Sequence, residues 1–259
     1  MKLIILCGGL GTRLREETEF RPKPMVNIGD RPILWHIMKM YAHYGYTDFV
    51  LALGYKGEMI KQYFCHYEVM NNDVTVELGK PEKICIHQSH DEVGWRITLA
   101  DTGEKALKGA RLKRVEKYIE GDTFMVTYGD GLANVDINAL VDFHKSHGKL
   151  ATLTGISLAS RFGELKIKGN QVEAFDEKPT ENDGLINGGF FIFNRGFFDY
   201  LSPDDECDLE IGALEKIASE GQLVVFKHFG FWACMDTFRD MEYLNQLWSE
   251  GKAAWKVWA

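Results

Sequence analysis

The sequence predicts an α/β fold, in which helices cover both faces of a mostly parallel sheet. Short apolar runs of strand length, at 3–6, 48–53 and 123–128, alternate with longer segments whose apolar residues recur at helical spacing. All three runs lead into turns that contain glycine. Such alternation is typical of a Rossmann-like, doubly wound sheet. A chain of 259 residues is long enough for one such domain, and we predict a single domain over 1–259.

The first elements alternate regularly between strand and helix. After the first strand, a helix begins near Pro32, with Asp30 as a candidate cap, and ends at Gly45. A buried strand follows, and the next helix is predicted over 58–66. This order favours parallel pairing of the first two strands.

Residues 67–100 interrupt the alternation. Apolar and polar residues alternate there in three short runs, at 74–78, 84–86 and 95–99. A period of two indicates strands. We therefore predict a small β excursion, over about 67–100, that leaves the main sheet.

The second half returns to strands and helices. The predicted elements are a helix over 107–118, a strand over 123–128, a helix from Asp136 to 147, a strand over 150–156, a hairpin over 162–175, a strand over 185–193, a helix over 208–220, a strand over 223–227 and a helix from Thr237 to 249. Gly188 and Gly189 interrupt one strand. Because glycine weakens a strand, we predict that a ligand approaches the backbone closely there.

Composition excludes several classes of protein. A net charge of −8 argues against a nucleic-acid surface, so any phosphate site must be a local positive pocket. No apolar run approaches the length of a membrane span, and the first apolar run leads into a glycine loop rather than a signal-peptide cleavage site. Five widely spaced cysteines favour reduced thiols, and we expect a cytoplasmic protein.

A glycine loop follows the first strand directly. It contains Gly8, Gly9 and Gly11, and the cations Arg13 and Lys23 come next in the chain. Glycines let backbone N–H groups approach phosphate oxygens, and fixed cations suit the same ligand. An ordinary strand-to-helix turn is the structural alternative, although such turns rarely carry these cations.

Two better-known glycine motifs do not fit this loop. The dinucleotide fingerprint requires a third glycine where Leu14 stands. The P-loop requires Lys and then Ser or Thr after its last glycine, whereas Thr12 and Arg13 follow Gly11. The loop therefore predicts an anion site of another kind.

Motifs along nearly the whole chain resemble those of the sugar-1-phosphate nucleotidylyltransferases. The matching segments are 8–13, 21–25, 32–38, 128–131, 177–179, 187–191 and 235–237. The later segments are similar to the cytidylyltransferase branch of this family. The resemblance implies transfer of a cytidylyl group from CTP to α-D-glucose 1-phosphate, which gives CDP-glucose and pyrophosphate. It also implies Mg²⁺ and a homo-oligomer with an α+β C-terminal part that binds the sugar.

The resemblance assigns roles to individual residues. The implied catalytic residues are Arg13, Lys23 and Asp130. The implied nucleotide-binding residues are Leu6, Gly8, Gly9, Gly11, Thr12, Arg13, Arg111 and Gly129, with carbonyls of the loop accepting from the cytosine amine. The implied residues for the sugar phosphate are Gly163, Glu177, Lys178, Asn187 and Gly188. Asp130 and Asp236 are the implied metal ligands.

Other roles stay open for some of these residues. Asp236 could cap the last helix, and Asp130 could be a turn aspartate. Arg111 could be a solvated residue at a helix start, and Glu177 and Lys178 could form a surface ion pair.

Three rival functions also stay open. The first is transfer from another pyrimidine nucleotide or to another sugar 1-phosphate. The second is an NAD-dependent sugar oxidoreductase, which Leu14 and the lack of an acidic residue at the end of the second strand disfavour. The third is a non-catalytic sensor, which would not need the full set of charged residues.

Overall fold

The computed structural model describes residues 1–79, 83–87, 90–157, 164–168, 171–176 and 184–258. The strands are β1 (Leu3–Cys7), β2 (Asn27–Ile28), β3 (Arg31–Pro32), β4 (Asp48–Leu53), β5 (Asp73–Val76), β6 (Ile84–His87), β7 (Arg96–Asp101), β8 (Thr123–Tyr128), β9 (Gly131–Ala133), β10 (Ala151–Ser157), β11 (Glu164–Lys168), β12 (Gln171–Asp176), β13 (Leu185–Asn194), β14 (Leu223–His228) and β15 (Trp232–Cys234). The α-helices are α1 (Arg15–Thr18), α2 (Ile33–His43), α3 (Gly57–Cys65), α4 (Tyr67–Asn71), α5 (Lys108–Val115), α6 (Ile137–His147), α7 (Glu215–Ser219) and α8 (Phe238–Ser249). Among the described residues, no helix is both long and apolar enough to cross a membrane.

A seven-stranded sheet forms the centre of the described fold, in the order β14-β10-β13-β8-β1-β4-β7. Strand β13 pairs antiparallel with both of its neighbours, and the other pairings in this sheet are parallel. Buried residues on both faces of the sheet form two hydrophobic clusters. The predicted α/β class and mostly parallel sheet are confirmed.

Strand β1 lies in the middle of this sheet and is buried on both faces. Leu3, Ile5 and Cys7 belong to one hydrophobic cluster, whereas Ile4 and Leu6 belong to the other. A central parallel strand that is covered by helices on both sides needs apolar residues at every position. This explains why residues 3–7 form a continuous apolar run rather than an alternating one.

The carboxyl ends of three parallel strands meet at one edge of the sheet. Cys7 at the end of β1 pairs with Leu53 of β4, and Leu6 pairs with Tyr128 of β8. The residues that follow β1 and β8 are the glycine loop and Gly129-Asp130. Ligands of open α/β sheets bind at this edge.

The region 67–100 differs from its prediction in two ways. Only β5 and β6 form a separate hairpin, because β7 pairs with β4 as the last strand of the main sheet. Residues 67–71 form helix α4, which the alternating pattern did not indicate. Alternation identifies a strand with one covered face but does not say which strand is its partner.

Two predicted helix features are also wrong. No side chain caps α2, since Asp30 lies in the turn between β2 and β3. The predicted helix over 208–220 is broken, because Ile211 and Gly212 have non-helical backbone angles and Gly212 has φ 98°. The predicted caps Asp136 and Thr237 are confirmed, each accepting a hydrogen bond from the first turn of its helix.

The glycines of β13 are explained by packing within the chain. A Cβ at Gly188 would overlap the Ile156 side chain, and a Cβ at Gly189 would lie 2.5 Å from the Tyr128 ring. Gly189 also has φ 81°, which glycine adopts most readily. Packing within the chain therefore accounts for these glycines without a ligand, and close approach of a ligand to them stays a prediction.

Candidate active site

A cavity of about 590 Å³ lies at the carboxyl edge of the sheet. The end of β1 and the segment after it contribute Leu6, Gly8, Gly9, Gly11, Thr12 and Arg13. More distant elements contribute Lys23, Arg111, Gly129, Asp130, Asn187 and Asp236. The structure thus brings together predicted residues from six regions of the sequence. Gly163, Glu177 and Lys178 lie outside the described residues, so their implied roles stay predictions.

The glycine loop is shaped by backbone geometry at its end. Gly11 has φ 64°, and its carbonyl accepts a hydrogen bond of 3.0 Å from the Thr18 hydroxyl. A side chain at this position would be strained, because φ lies in the left-handed region. A Cβ at Gly9 would meet no atom within 4 Å beyond its chain neighbours, so this part of the loop faces open space.

Arg111 holds the base of the loop from inside the protein. Its side chain is buried, and its terminal nitrogens donate to the carbonyls of Gly8 (3.0 Å), Leu53 (3.0 Å), Gly103 (2.6 Å) and Glu104 (3.1 Å). The solvated alternative for Arg111 is therefore wrong. A Cβ at Gly8 would overlap the guanidinium, which gives this glycine a packing reason as well. Base contact by Arg111 stays a prediction.

Two carbonyls of the loop region already have partners. The Leu6 carbonyl accepts from the Gly129 amide at 3.1 Å, and the Gly8 carbonyl accepts from Arg111. The Gly8 carbonyl also accepts from the Tyr55 amide at 3.4 Å, so the orientation of both carbonyls is set by the protein. Any contact of these carbonyls with a base would therefore use a prearranged acceptor.

Replacement of Arg111 by Met should destabilise the protein as well as the loop. Several buried acceptors would lose their donor, and we expect the free energy of unfolding to fall by about 3 kcal/mol. Urea unfolding followed by tryptophan fluorescence measures this. Arg96→Met is the control, because the Arg96 side chain is 69% exposed and lies 3.9 Å from Asp48. Equal unfolding free energies for the two variants would contradict the anchoring role.

A cluster of two cations and two carboxylates lies beside the loop. Lys23 Nζ is 2.6 Å from Asp130 Oδ2 and 2.5 Å from Asp236 Oδ1. Arg13 Nη1 is 2.7 Å from Asp236 Oδ2. Lys23 comes from the short helix Lys23–Met25, Asp130 follows β8, and Asp236 follows β15. The fold therefore joins charges that are far apart in the sequence.

The cluster sets the charge states of its members. Burial works to lower the pKa of Lys23, but Asp130 and Asp236 outweigh it and leave this pKa above its ordinary value. Burial works to raise the pKa of Asp236, but Lys23 and Arg13 leave it below its ordinary value. Lys23 is therefore a cation and Asp236 an anion at neutral pH.

Cys234 also lines the cavity but is not a nucleophile. Burial, with the nearby carboxylates of Asp236 and Asp130, raises the pKa of the thiol to about 11. A protonated thiol is a poor nucleophile at neutral pH. Lys23 and Asp236, rather than the Cys234 thiol, are therefore the charged groups here at neutral pH.

The carboxylate pair fits a divalent cation. Asp130 and Asp236 converge on a single position, which the Lys23 ammonium occupies. Asp236 is not needed as the helix cap, because Thr237 caps α8. No group of three or more metal-binding side chains was found among the described residues. Two carboxylates suit Mg²⁺, which usually keeps several waters and binds substrate phosphates as well.

The cavity is also lined by Asn187 and by several residues that the sequence did not single out. The Asn187 amide donates to Tyr128 Oη at 3.0 Å, and Trp232 Nε1 donates to the Gly188 carbonyl at 2.8 Å. Glu210 and Lys108 line the same cavity. Tyr128 could have been found from its place two residues before Asp130. Glu210 carries no local signal, because it follows a helix cap in an otherwise ordinary segment.

The site and the fold together define a class of protein. A glycine loop at the carboxyl edge of a parallel sheet, two cations and a convergent carboxylate pair suit a phosphate-bearing ligand with a divalent metal. Residues 2–248 match the sequence model described as nucleotidyl transferase, and this chain belongs to that family. Its fold class and its resemblance to nucleotidylyltransferases are thereby confirmed, and the oxidoreductase alternative is disfavoured.

Known relatives agree with this membership. A glucose-1-phosphate cytidylyltransferase from Salmonella typhimurium is 50% identical over 259 residues, which cover 100% of both chains. A mannose-1-phosphate guanyltransferase from Saccharomyces cerevisiae is 31% identical over 253 residues, which cover 95% of this chain and 63% of the yeast enzyme. The solved structure of the inositol-1-phosphate CTP transferase from T. maritima matches with a TM-score of 0.65 at 16% identity. The match covers 100% of this chain and 97% of the T. maritima chain. The last likeness concerns the fold alone.

Proposed function

We propose that this protein transfers a cytidylyl group from CTP to α-D-glucose 1-phosphate, forming CDP-glucose and pyrophosphate. The observation that carries the proposal is 50% identity over the full length of a glucose-1-phosphate cytidylyltransferase. The cavity supports it, because the charged cluster suits two phosphate-bearing substrates. The alternative of a non-catalytic sensor is disfavoured, since Arg13, Lys23, Asp130 and Asp236 all line this cavity.

The reaction requires charge neutralisation more than covalent catalysis. An oxygen of the sugar phosphate attacks the α-phosphorus of CTP, and the bond from that phosphorus to pyrophosphate breaks. Both reactants are anions and repel each other unless cations lie between them. In our proposal Arg13 binds the triphosphate and Lys23 binds the α-phosphate. The backbone amides of the glycine loop hold the phosphate oxygens in line.

Mg²⁺ is the cofactor that we propose. Asp130 and Asp236 would hold it, and when bound it would neutralise charge on the phosphates. Asn187, which lines the cavity, would bind sugar hydroxyls. Gly163, Gly188, Glu177 and Lys178 stay part of the proposed sugar-phosphate site.

CTP with glucose 1-phosphate should be the preferred substrate pair. Pyrophosphate release, measured across CTP, UTP, dTTP, ATP and GTP with several sugar 1-phosphates, tests this. Cytosine carries an amine donor where uracil and thymine carry an acceptor, so a fixed carbonyl distinguishes them. A mismatched buried polar pair should lower kcat/KM by roughly 10- to 100-fold. Equal kcat/KM for CTP and UTP would leave nucleotidyl transfer standing and remove the preference for CTP.

The location and assembly of the enzyme stay predictions. All five cysteines are free thiols, which is typical of proteins in a reducing compartment such as the cytoplasm. A homo-oligomer and a single domain over 1–259 are also still expected. Light scattering of the purified protein would measure the assembly.

A further inference from the structure

A chain of hydrogen bonds joins four side chains that line the cavity. Glu210 Oε1 accepts from Lys108 Nζ at 2.5 Å and from Tyr128 Oη at 2.5 Å. Tyr128 Oη accepts from the Asn187 amide at 3.0 Å, and Asn187 Oδ1 accepts from the Gly189 amide at 2.9 Å. We define these side chains, Lys108, Glu210, Tyr128 and Asn187, as the Glu210 network.

The network has one direction of donation. A carboxylate that is paired with an ammonium only accepts hydrogen bonds, so the Tyr128 proton points toward Glu210. The Tyr128 oxygen then accepts from Asn187, whose own oxygen is held by Gly189. The Asn187 amide is therefore oriented at both ends. Its nitrogen carries a second hydrogen, beyond the one used by Tyr128.

Glu210 is itself held by the break in the helix. Asp208 Oδ1 accepts from the Glu210 amide at 2.8 Å and from the Ile211 amide at 2.9 Å. The chain then leaves helical geometry at Ile211 and Gly212. Asp208 thus fixes the backbone from which the Glu210 side chain reaches Tyr128.

The network lines the cavity that we propose binds the substrates. All four of its side chains line the same cavity as the charged cluster, and Tyr128 is two residues from Asp130. The Lys108 side chain is 42% exposed and its ammonium has three hydrogens, so it offers donors beyond its bond to Glu210. Glu210 Oε2 is buried without a hydrogen-bond partner among the described residues, so Oε1 is the carboxylate oxygen that takes part in the network.

We propose that Glu210 is a positioning residue for the sugar phosphate. It orients Tyr128 and Asn187 and holds Lys108, so that amide and ammonium hydrogens face the hydroxyl oxygens of a hexose 1-phosphate. The inference rests on the proposed function, because it assigns the part of the cavity lined by the Glu210 network to the sugar.

The test compares Michaelis constants for the two substrates. Glu210→Gln and Tyr128→Phe should each raise KM for glucose 1-phosphate by roughly 10-fold or more. The glutamine amide can donate to the Tyr128 oxygen in competition with Asn187 and does not pair with the Lys108 charge, and phenylalanine removes that oxygen, so the Asn187 amide loses its fixed orientation. KM for CTP should stay within about twofold of its original value. The KM for glucose 1-phosphate of the double variant should be little higher than that of the more affected single variant, because both changes act on the same chain of hydrogen bonds.

The chain contains a matched control for this network. Tyr200 Oη donates to Glu220 Oε2 at 2.6 Å, and Lys216 Nζ lies 5.1 Å from the centre of the Tyr200 ring. In the Glu210 network, Lys108 Nζ lies 5.4 Å from the centre of the Tyr128 ring. Tyr200→Phe and Glu220→Gln should leave both Michaelis constants unchanged. A change of KM that also occurred in these controls would overturn the proposal.

The outcomes separate this inference from the proposed function. If the unmodified enzyme uses CTP and glucose 1-phosphate but both KM values are unchanged in Glu210→Gln and Tyr128→Phe, only the inference is overturned. If it prefers another nucleotide and sugar phosphate, a selective rise in KM for that sugar phosphate still supports Glu210. If it transfers no nucleotidyl group to any sugar phosphate, both proposals fail.

Discussion

Replacement of Asp130 by Asn is expected to lower kcat by roughly 10²- to 10³-fold, since it removes charge stabilisation at the reacting phosphates. Asp130 lies 2.6 Å from the Lys23 ammonium and is one of the two carboxylates that fit a divalent cation. The amide keeps the size of the side chain but loses its negative charge. The variant should therefore fold normally, bind metal poorly and leave Lys23 with one fewer anionic partner.

Two measurements check this expectation. Steady-state turnover gives kcat, and electron paramagnetic resonance with Mn²⁺ reports metal binding without relying on activity. Asp142→Asn is the control, because Asp142 is exposed on α6. Chelation of divalent metal should abolish turnover of the unmodified enzyme, and added Mg²⁺ should restore it. Full turnover by Asp130→Asn, or by the enzyme in chelator, would refute the metal assignment.

Replacement of Lys23 by Met should lower kcat by about 10²-fold with a smaller effect on the KM for CTP. A cation at the α-phosphate matters most when charge shifts in the transition state. In this structure the same ammonium occupies the position between Asp130 and Asp236 where the metal fits. If a metal binds between these carboxylates as proposed, its binding would release Lys23 from both of them.

This arrangement gives the Lys23 variant a second, opposite effect. Without nucleotide, Lys23→Met should bind Mn²⁺ more tightly than the original protein, because the competing ammonium is gone. Isothermal titration with Mn²⁺ alone measures this. Lys39→Met is a matched control, since Lys39 is 14% exposed and lies 2.8 Å from Glu92. Unchanged kcat and unchanged Mn²⁺ affinity would mean that Lys23 serves neither role.

Local patterns predicted much of the fold because their causes are local. A strand buried on both faces requires consecutive apolar residues, and 3–7 and 123–128 follow that rule. A helix cap depends on one side chain and the amides of the next turn, as at Asp136 and Thr237. The same reasoning failed where a partner was distant, as when β7 joined β4.

The site shows the same division. The sequence by itself identified the glycine loop, its cations and the aspartates as candidate site residues, because these residue types suit phosphate and metal ligands wherever they lie. Only the tertiary structure decided that Lys23 lies between Asp130 and Asp236, that Arg111 points inward to the loop, and that Glu210 reaches Tyr128. These contacts depend on the order of strands in the sheet and on the direction in which each side chain leaves its element. Neither quantity is encoded in a short segment, so both appear only when the whole chain is packed.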